Sequence, residues 1–217
     1  MKNVDDLIGS AKELAEQGLS KGEIADELNV SRETASWLVE RSGASDTPGI
    51  DDAGTDAAGV TGPDDIHIDW SAIGRDSSRL GHVGAAMADL LAKEGEAVDL
   101  TVGIEKAGSP LATTIARELE TDLAAYAPAK HQWEEGDIED LAGSFSRNFA
   151  GIRGRECYVV DDTITSGTTM RETVEAVREE GGDPVACVVV VDKQGVESIE
   201  GVPVYSLINV VRVGDDG

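Results

Sequence analysis

The run Cys157-Tyr158-Val159-Val160-Asp161-Asp162-Thr163-Ile164-Thr165-Ser166-Gly167-Thr168-Thr169 constrains the fold more than any other part of the chain. An apolar strand ends in two adjacent carboxylates, passes through a loop of hydroxyl residues and one glycine, and enters a segment with helical periodicity, residues 170–180. Backbone N–H groups at a helix N-terminus, with Thr and Ser hydroxyls beside them, can wrap a phosphate. Gly167 lets the backbone come close to it. Asp161 and Asp162 repel a phosphate, but as pure acceptors they suit sugar hydroxyls or a metal-bound ligand just beyond it. The order suits a phosphorylated sugar. It also suits a bare strand-to-helix turn in which Asp and Thr only cap.

From residue 66 to 217 strand and helix patterns alternate. A helical pattern at 80–93 precedes a strand at 98–104, the loop Glu105-Lys106-Ala107-Gly108-Ser109, and a helix from Pro110 to about Leu119 with Pro at the first helical position. Strand patterns follow at 123–129, 157–160, 185–192 and 202–207. Such alternation predicts an α/β domain with a parallel sheet flanked by helices, and a ligand outside the carboxyl ends of its strands. The loops at 105–109 and 161–169 both follow strands and should meet at that edge.

Residues 1–42 predict three helices. Ser20 and Glu23 have capping-box spacing, and Ser31 is placed to cap the third helix. Ile24, Ala25, Leu28, Ala35, Leu38 and Val39 make the inward faces, with Val30 plugging the turn between the last two helices. Residues 43–65 hold five Gly, six Asp and two Pro and no basic or aromatic residue, which predicts a flexible acidic linker. The expected plan is 1–42 helical, 43–65 linker and 66–217 ligand domain.

The whole chain has 43 acidic and 18 basic residues, a formal charge of −25. Such an excess keeps a protein soluble and is a lever used by halophiles, so a salt-loving source is expected. With 40% hydrophobic residues the chain is not generally disordered. Cys157 and Cys187 lie in strand patterns and read as small buried hydrophobes in a reducing compartment. No cationic leader opens the sequence and no apolar run is of membrane-spanning length, which predicts a soluble, cytoplasmic protein without a membrane partner.

The 157–169 run resembles the signature of the type I phosphoribosyltransferases, in which the acidic pair holds the ribose hydroxyls of phosphoribosyl pyrophosphate and the Thr-rich loop holds its 5′-phosphate. The resemblance implies effector contacts by Asp161, Asp162, Thr163, Thr165, Ser166, Gly167, Thr168 and Thr169. The loop Gly103 to Ala112 resembles the pyrophosphate loop of orotate phosphoribosyltransferases, with Lys106 as a point charge and Gly108 allowing close approach. Alone, those residues suit a strand-to-helix turn with a solvated lysine equally well. The mobile cationic lid of that family corresponds to residues 129–137, where Trp133 falls on the catalytic lysine, Glu135 on a histidine and Ala129 on an arginine. Only Lys130 keeps a basic position there, and His131 remains open as a ligand contact. Near the end, Lys193 replaces the arginine that grips the orotate carboxylate.

The N-terminal spacing resembles the helix-turn-helix of bacterial and archaeal regulators. It implies that Ser31, Arg32, Glu33, Ser36, Trp37 and Arg41 face DNA. The same three helices also suit a capping or dimerisation module. Residues 1–42 carry nine acidic and five basic side chains, net −4, where a DNA binder usually shows a basic footprint. Together the two halves resemble the archaeal orotate phosphoribosyltransferase-like regulators of sugar catabolism. That family implies promoter DNA and a phosphorylated sugar or phosphoribosyl pyrophosphate as partners, and a homodimer. It implies no catalytic residue, no resident metal and no required cofactor, with Mg²⁺ only as the companion of a pyrophosphate ligand. An active phosphoribosyltransferase, with Lys130 or His131 closing the site, and an interaction scaffold are the alternatives.

Overall fold

A computed structural model describes residues 3–43, 65–128 and 143–211. The chain forms two compact units, Met1–Asp69 and Trp70–Gly217.

The first unit contains α1 (Val4–Glu16), α2 (Lys21–Glu27) and α3 (Arg32–Arg41). Each opens on a side-chain cap: Asn3 and Asp6 cap reciprocally, as do Ser20 and Glu23, and Ser31 accepts from the Thr34 N–H. Asn29 takes a left-handed φ of 50°, which turns the chain so that Val30 N–H reaches back to the Ala25 carbonyl at 2.9 Å. Val30 is 2% exposed and joins Leu7, Ala11, Ile24, Ala25, Leu28, Ala35, Leu38 and Val39 in one core.

Residues 66–69 belong to this unit and not, as their sequence position suggests, to the ligand domain. The reason is a set of hydrogen bonds to the α2–α3 turn. Asp65 Oδ2 accepts from Ser31 N–H at 2.5 Å, Asn29 Nδ2 donates to the Ile68 carbonyl at 3.1 Å, and His67 Nδ1 bonds the Leu28 carbonyl. Apart from Gly43 and Asp65, the expected linker lies outside the described residues.

The second unit runs α4 (Ser71–Gly74), α5 (Ser77–Glu94), β1 (Leu100–Ile104), α6 (Gly108–Leu119), β2 (Asp122–Ala127), β3 (Ser144–Phe145), β4 (Glu156–Val160), β5 (Thr163–Ile164), α7 (Thr168–Glu179), β6 (Asp183–Asp192), β7 (Ser198–Ile199) and β8 (Val202–Asn209). The sheet order is β3-β2-β1-β4-β6-β8-β7, with β5 beside β6. β2, β1, β4, β6 and β8 run parallel, and the short β3 and β7 pair antiparallel at the margins. All five residues of β1 are buried, because helices cover both faces. Leu100, Val102, Ile104, Val159, Cys187 and Val189 pack against Met170, Val174 and Val177 of α7, while α5 and α6 pack together on the sheet. At the amino ends of three strands the Arg155 guanidinium binds the Asp99 carboxylate at 3.0 Å and the Asp122 carboxylate at 2.9 Å.

Pro110 is the third helical residue of α6, not the first. It is tolerated there because the first four N–H groups of a helix have no intrahelical partner. Cys157 and Cys187 are buried and unbridged, and burial pushes both thiols up to about 12, which keeps them protonated and inert. Among the described residues no helix is long and apolar enough to cross a membrane.

Leu38 is 1% exposed at the centre of the three-helix core. Leu38→Ala should cost about 2–5 kcal/mol, a large share of what so small a unit can hold. The expected result in a thermal scan at high salt is early loss of part of the helical circular dichroism, with the transition of the second unit retained.

Candidate functional site

β1 lies between β2 and β4, so the chain leaves β1 toward one side of the sheet and later returns on the other. The carboxyl edge between β1 and β4 is therefore a topological switch point, where open α/β sheets hold ligands. The loops that follow these two strands are the two singled out from sequence. They are in direct contact: a Cβ on Gly108 would lie 2.4 Å from the Val160 carbonyl oxygen and 2.9 Å from Asp161 Cα. Only glycine allows this approach. Lys106, exposed, sits on the same loop beside a cis Glu105–Lys106 peptide bond.

Among the described residues α1, α2, α3 and α5 have side-chain N-caps, whereas the short α4 and the two helices that start at these loops, α6 and α7, have none. At the start of α7 the Thr168 N–H donates to Ser166 Oγ at 3.5 Å, and the dipoles of α6 and α7 favour negative charge at this edge. Gly167 turns the chain into α7 with a φ of +73°. Exposed Ser166 and Thr168 hold their hydroxyls 3.1 Å apart over this end, with half-buried Thr165 and Thr169 beside them.

Beneath the loop, Asp192 is 1% exposed and works as a brace. Its carboxylate accepts from the N–H groups of Gln194, Gly195 and Val196 at 2.8, 3.1 and 2.6 Å. The turn so fixed lets Lys193 N–H donate to the Ile164 carbonyl at 3.0 Å and Gln194 Nε2 to the Thr165 carbonyl at 2.5 Å. Lys193 thus flanks the loop through a structured turn.

Asp161 is half-buried, and its Oδ1 accepts from Asp162 N–H at 2.9 Å. Asp162 is 9% exposed. Desolvation raises its carboxyl above the ordinary value of 3.8, against the coupling to the neighbouring Asp161 carboxyl and hydrogen bonds from the Thr163 hydroxyl, its own backbone and the Trp70 indole that favour the charged form. Sequence reasoning missed Trp70, which no motif links to the loop it serves; it singled out the segment Asp192-Lys193-Gln194-Gly195 for Lys193, or as a strand end turning at Gly195, and gave Asp192 and Gln194 no role of their own. Lys130 and the rest of the 129–137 lid, His131 included, lie outside the described residues.

In the first unit, Arg32, Glu33 and Arg41 of α3 are exposed and Ser36 is half-buried, while Thr34, Ala35, Leu38 and Val39 are buried and half-buried Trp37 packs against the hydrophobic core. Ser31 is occupied as the cap. The Arg32 guanidinium rests against Gly22, where an added Cβ would lie 2.9 Å from it. Arg41 stands 5.3 Å over the Trp37 ring, a cation–π pair.

Residues 69–210 match the phosphoribosyl transferase domain family. A relative from Haloarcula marismortui, named transcriptional regulator GfcR, is 69% identical over 217 residues, covering 100% of this chain and 99% of its own. Another of the same name from Methanocella arvoryzae is 43% identical over 98% of this chain and 100% of its own. Among solved structures, orotate phosphoribosyltransferase from Aeropyrum pernix superposes with a TM-score of 0.53 at 21% identity, over 66% of this chain and 78% of that one. Adenine phosphoribosyltransferase from Thermoanaerobacter pseudethanolicus gives 0.54 at 18%, over 67% and 89%. These two likenesses are of fold.

A raised folded-state pKa means that the native protein binds a proton more tightly than the unfolded chain, so Asp162 removes stability as pH climbs from the ordinary carboxylate value through the raised one. Asp162→Asn should therefore melt higher than the wild type near pH 7. In thermal scans at descending pH the margin should shrink as pH falls through the raised value and vanish below the ordinary value of 3.8.

Proposed function

Because the chain belongs to the family of phosphoribosyltransferase-domain transcriptional regulators named GfcR, we propose that it is a DNA-binding regulator of sugar-catabolism genes whose second unit senses a phosphorylated sugar. The observation that carries the reading is that the match to named regulators runs through both units from end to end. α3 enters the major groove with Arg32, Glu33, Ser36, Trp37 and Arg41 toward the bases and Ser31 at the backbone. Arg32 leaves Gly22 to pair bidentately with guanine. In molar salt the counterion-release gain is already gone, so the net −4 of residues 1–42 costs little. Specificity rests on base contacts and on a homodimer that presents two α3 helices about 34 Å apart.

In this reading the effector phosphate sits on the N-terminus of α7, among Thr165, Ser166, Gly167, Thr168 and Thr169. Sugar hydroxyls donate to Asp161 and Asp162 beside Thr163, and a second anionic group meets Lys106 and Gly108 at α6, with Lys130 and Lys193 at the flanks. Phosphoribosyl pyrophosphate or a phosphorylated sugar acid has this form. Mg²⁺ comes only with a pyrophosphate. Turnover is not expected, because Trp133 and Glu135 stand where the transferases keep cations to stabilise a departing pyrophosphate.

The purified protein should bind a palindromic promoter fragment in molar salt. Arg32→Ala should weaken that binding by about 1–3 kcal/mol; an unchanged footprint would remove α3 as the reading helix. Incubation with phosphoribosyl pyrophosphate and orotate or purine bases should release no pyrophosphate above background. Robust release would replace this reading with an active transferase.

A further inference from the structure

Residues 65–70 make polar contacts with two places that matter to the proposed sensor. At one end the segment clasps the α2–α3 turn: Asp65 accepts from Ser31 N–H at 2.5 Å, Ile68 accepts from Asn29 at 3.1 Å, and His67 bonds Leu28. At the other end the Trp70 indole donates to the Asp162 carboxylate. The ring is seated on Gly74, where an added Cβ would come within 2.8 Å of it. Only Asp69 separates Trp70 from the last clasped residue.

Both ends have a chemical reading. The indole N–H is a donor in the role that a sugar hydroxyl would take, and a carboxylate 9% exposed has little room for both. Asp65 holds a negative charge at the N-terminus of α3, the end of the helix that favours a DNA phosphate. The clasped segment therefore opposes DNA. Losing one anchor also frees a neighbour that it had pre-ordered, since the two share a covalent segment.

We propose that residues 65–70 couple the two activities: a sugar hydroxyl on Asp162 displaces the Trp70 indole, the clasp on the α2–α3 turn loosens, Asp65 leaves the end of α3, and affinity for DNA rises. The inference rests on the regulator reading of both units. By linkage, DNA raises affinity for the sugar by the same factor.

The test uses the full chain in molar salt, a labelled promoter fragment, and phosphoribosyl pyrophosphate with Mg²⁺ as the probe. Trp70→Phe keeps the ring and removes the donor; without probe it should bind DNA about tenfold more tightly than the wild type, and probe should add little further. Asp65→Asn should also tighten DNA binding without probe, and it serves alone if Trp70→Phe does not fold. Two glycines inserted between Asp69 and Trp70 should leave probe binding intact and cut the probe's effect on DNA affinity to under about twofold. Unchanged or weaker DNA binding by both substitutions, or a full response in the insertion variant, overturns the coupling. If calorimetry shows no probe binding to the wild type, the effector assignment fails separately, and the DNA affinities of the two substituted proteins still decide the coupling.

Discussion

Backbone contact between Gly108 and the Val160–Asp161 peptide holds the carboxyl ends of β1 and β4 at one edge, and the candidate site is built around it. Any side chain at Gly108 would drive α6 off the sheet and part the two loops. The same contact sets the uncapped N-terminus of α6 beside the acidic pair, while Gly167 delivers that of α7. Opposed charges and donors then lie in a fixed order along the edge: amide donors, carboxylates, amide donors. A ligand with anionic ends and hydroxyls between them complements that order.

Asp162 shows what such an arrangement costs. A carboxylate this deep is disfavoured by desolvation, which outweighs the hydrogen bonds that favour its charged form, and no cation is among the causes that shift it. Asp192, deeper still, has three backbone N–H groups converging on its carboxylate, and they fix the turn that follows β6. One aspartate completes a turn, and the other lies buried at the carboxyl edge of the sheet. Sites that trade local stability for binding are common where function is located.

Periodicity and turn chemistry made most of this visible in advance. The six longer helices and the five parallel strands fall close to their predicted spans, because each has enough residues to show an amphipathic or continuous apolar pattern. The two-residue strands β3, β5 and β7 escaped, being too short for any period. Pro110 was misplaced by two positions since the whole first turn of a helix tolerates proline, not one residue of it. The clasp by residues 65–69 and the Trp70 contact were invisible for a different reason. They join residues distant in sequence through single polar atoms, which leave no pattern in either partner. The acidic composition of the preceding stretch suggested that order would begin only at the β/α pattern, whereas Asp65 is bound to Ser31.

Arg155 has a bearing on where the molecule yields when salt is withdrawn. With a formal charge of −25, dilution strengthens repulsion across the whole surface. The Arg155 side chain, 22% exposed, pins the starts of β1, β2 and β4 through two aspartates, and its attraction also grows as screening falls. Among the described residues the three-helix unit shows exposed ion pairs, Lys12–Glu16 and Lys21–Glu40, over its apolar core. Desalting should thus act as a dissecting tool, melting the helical unit while the sheet persists, and so separating the first unit from the second.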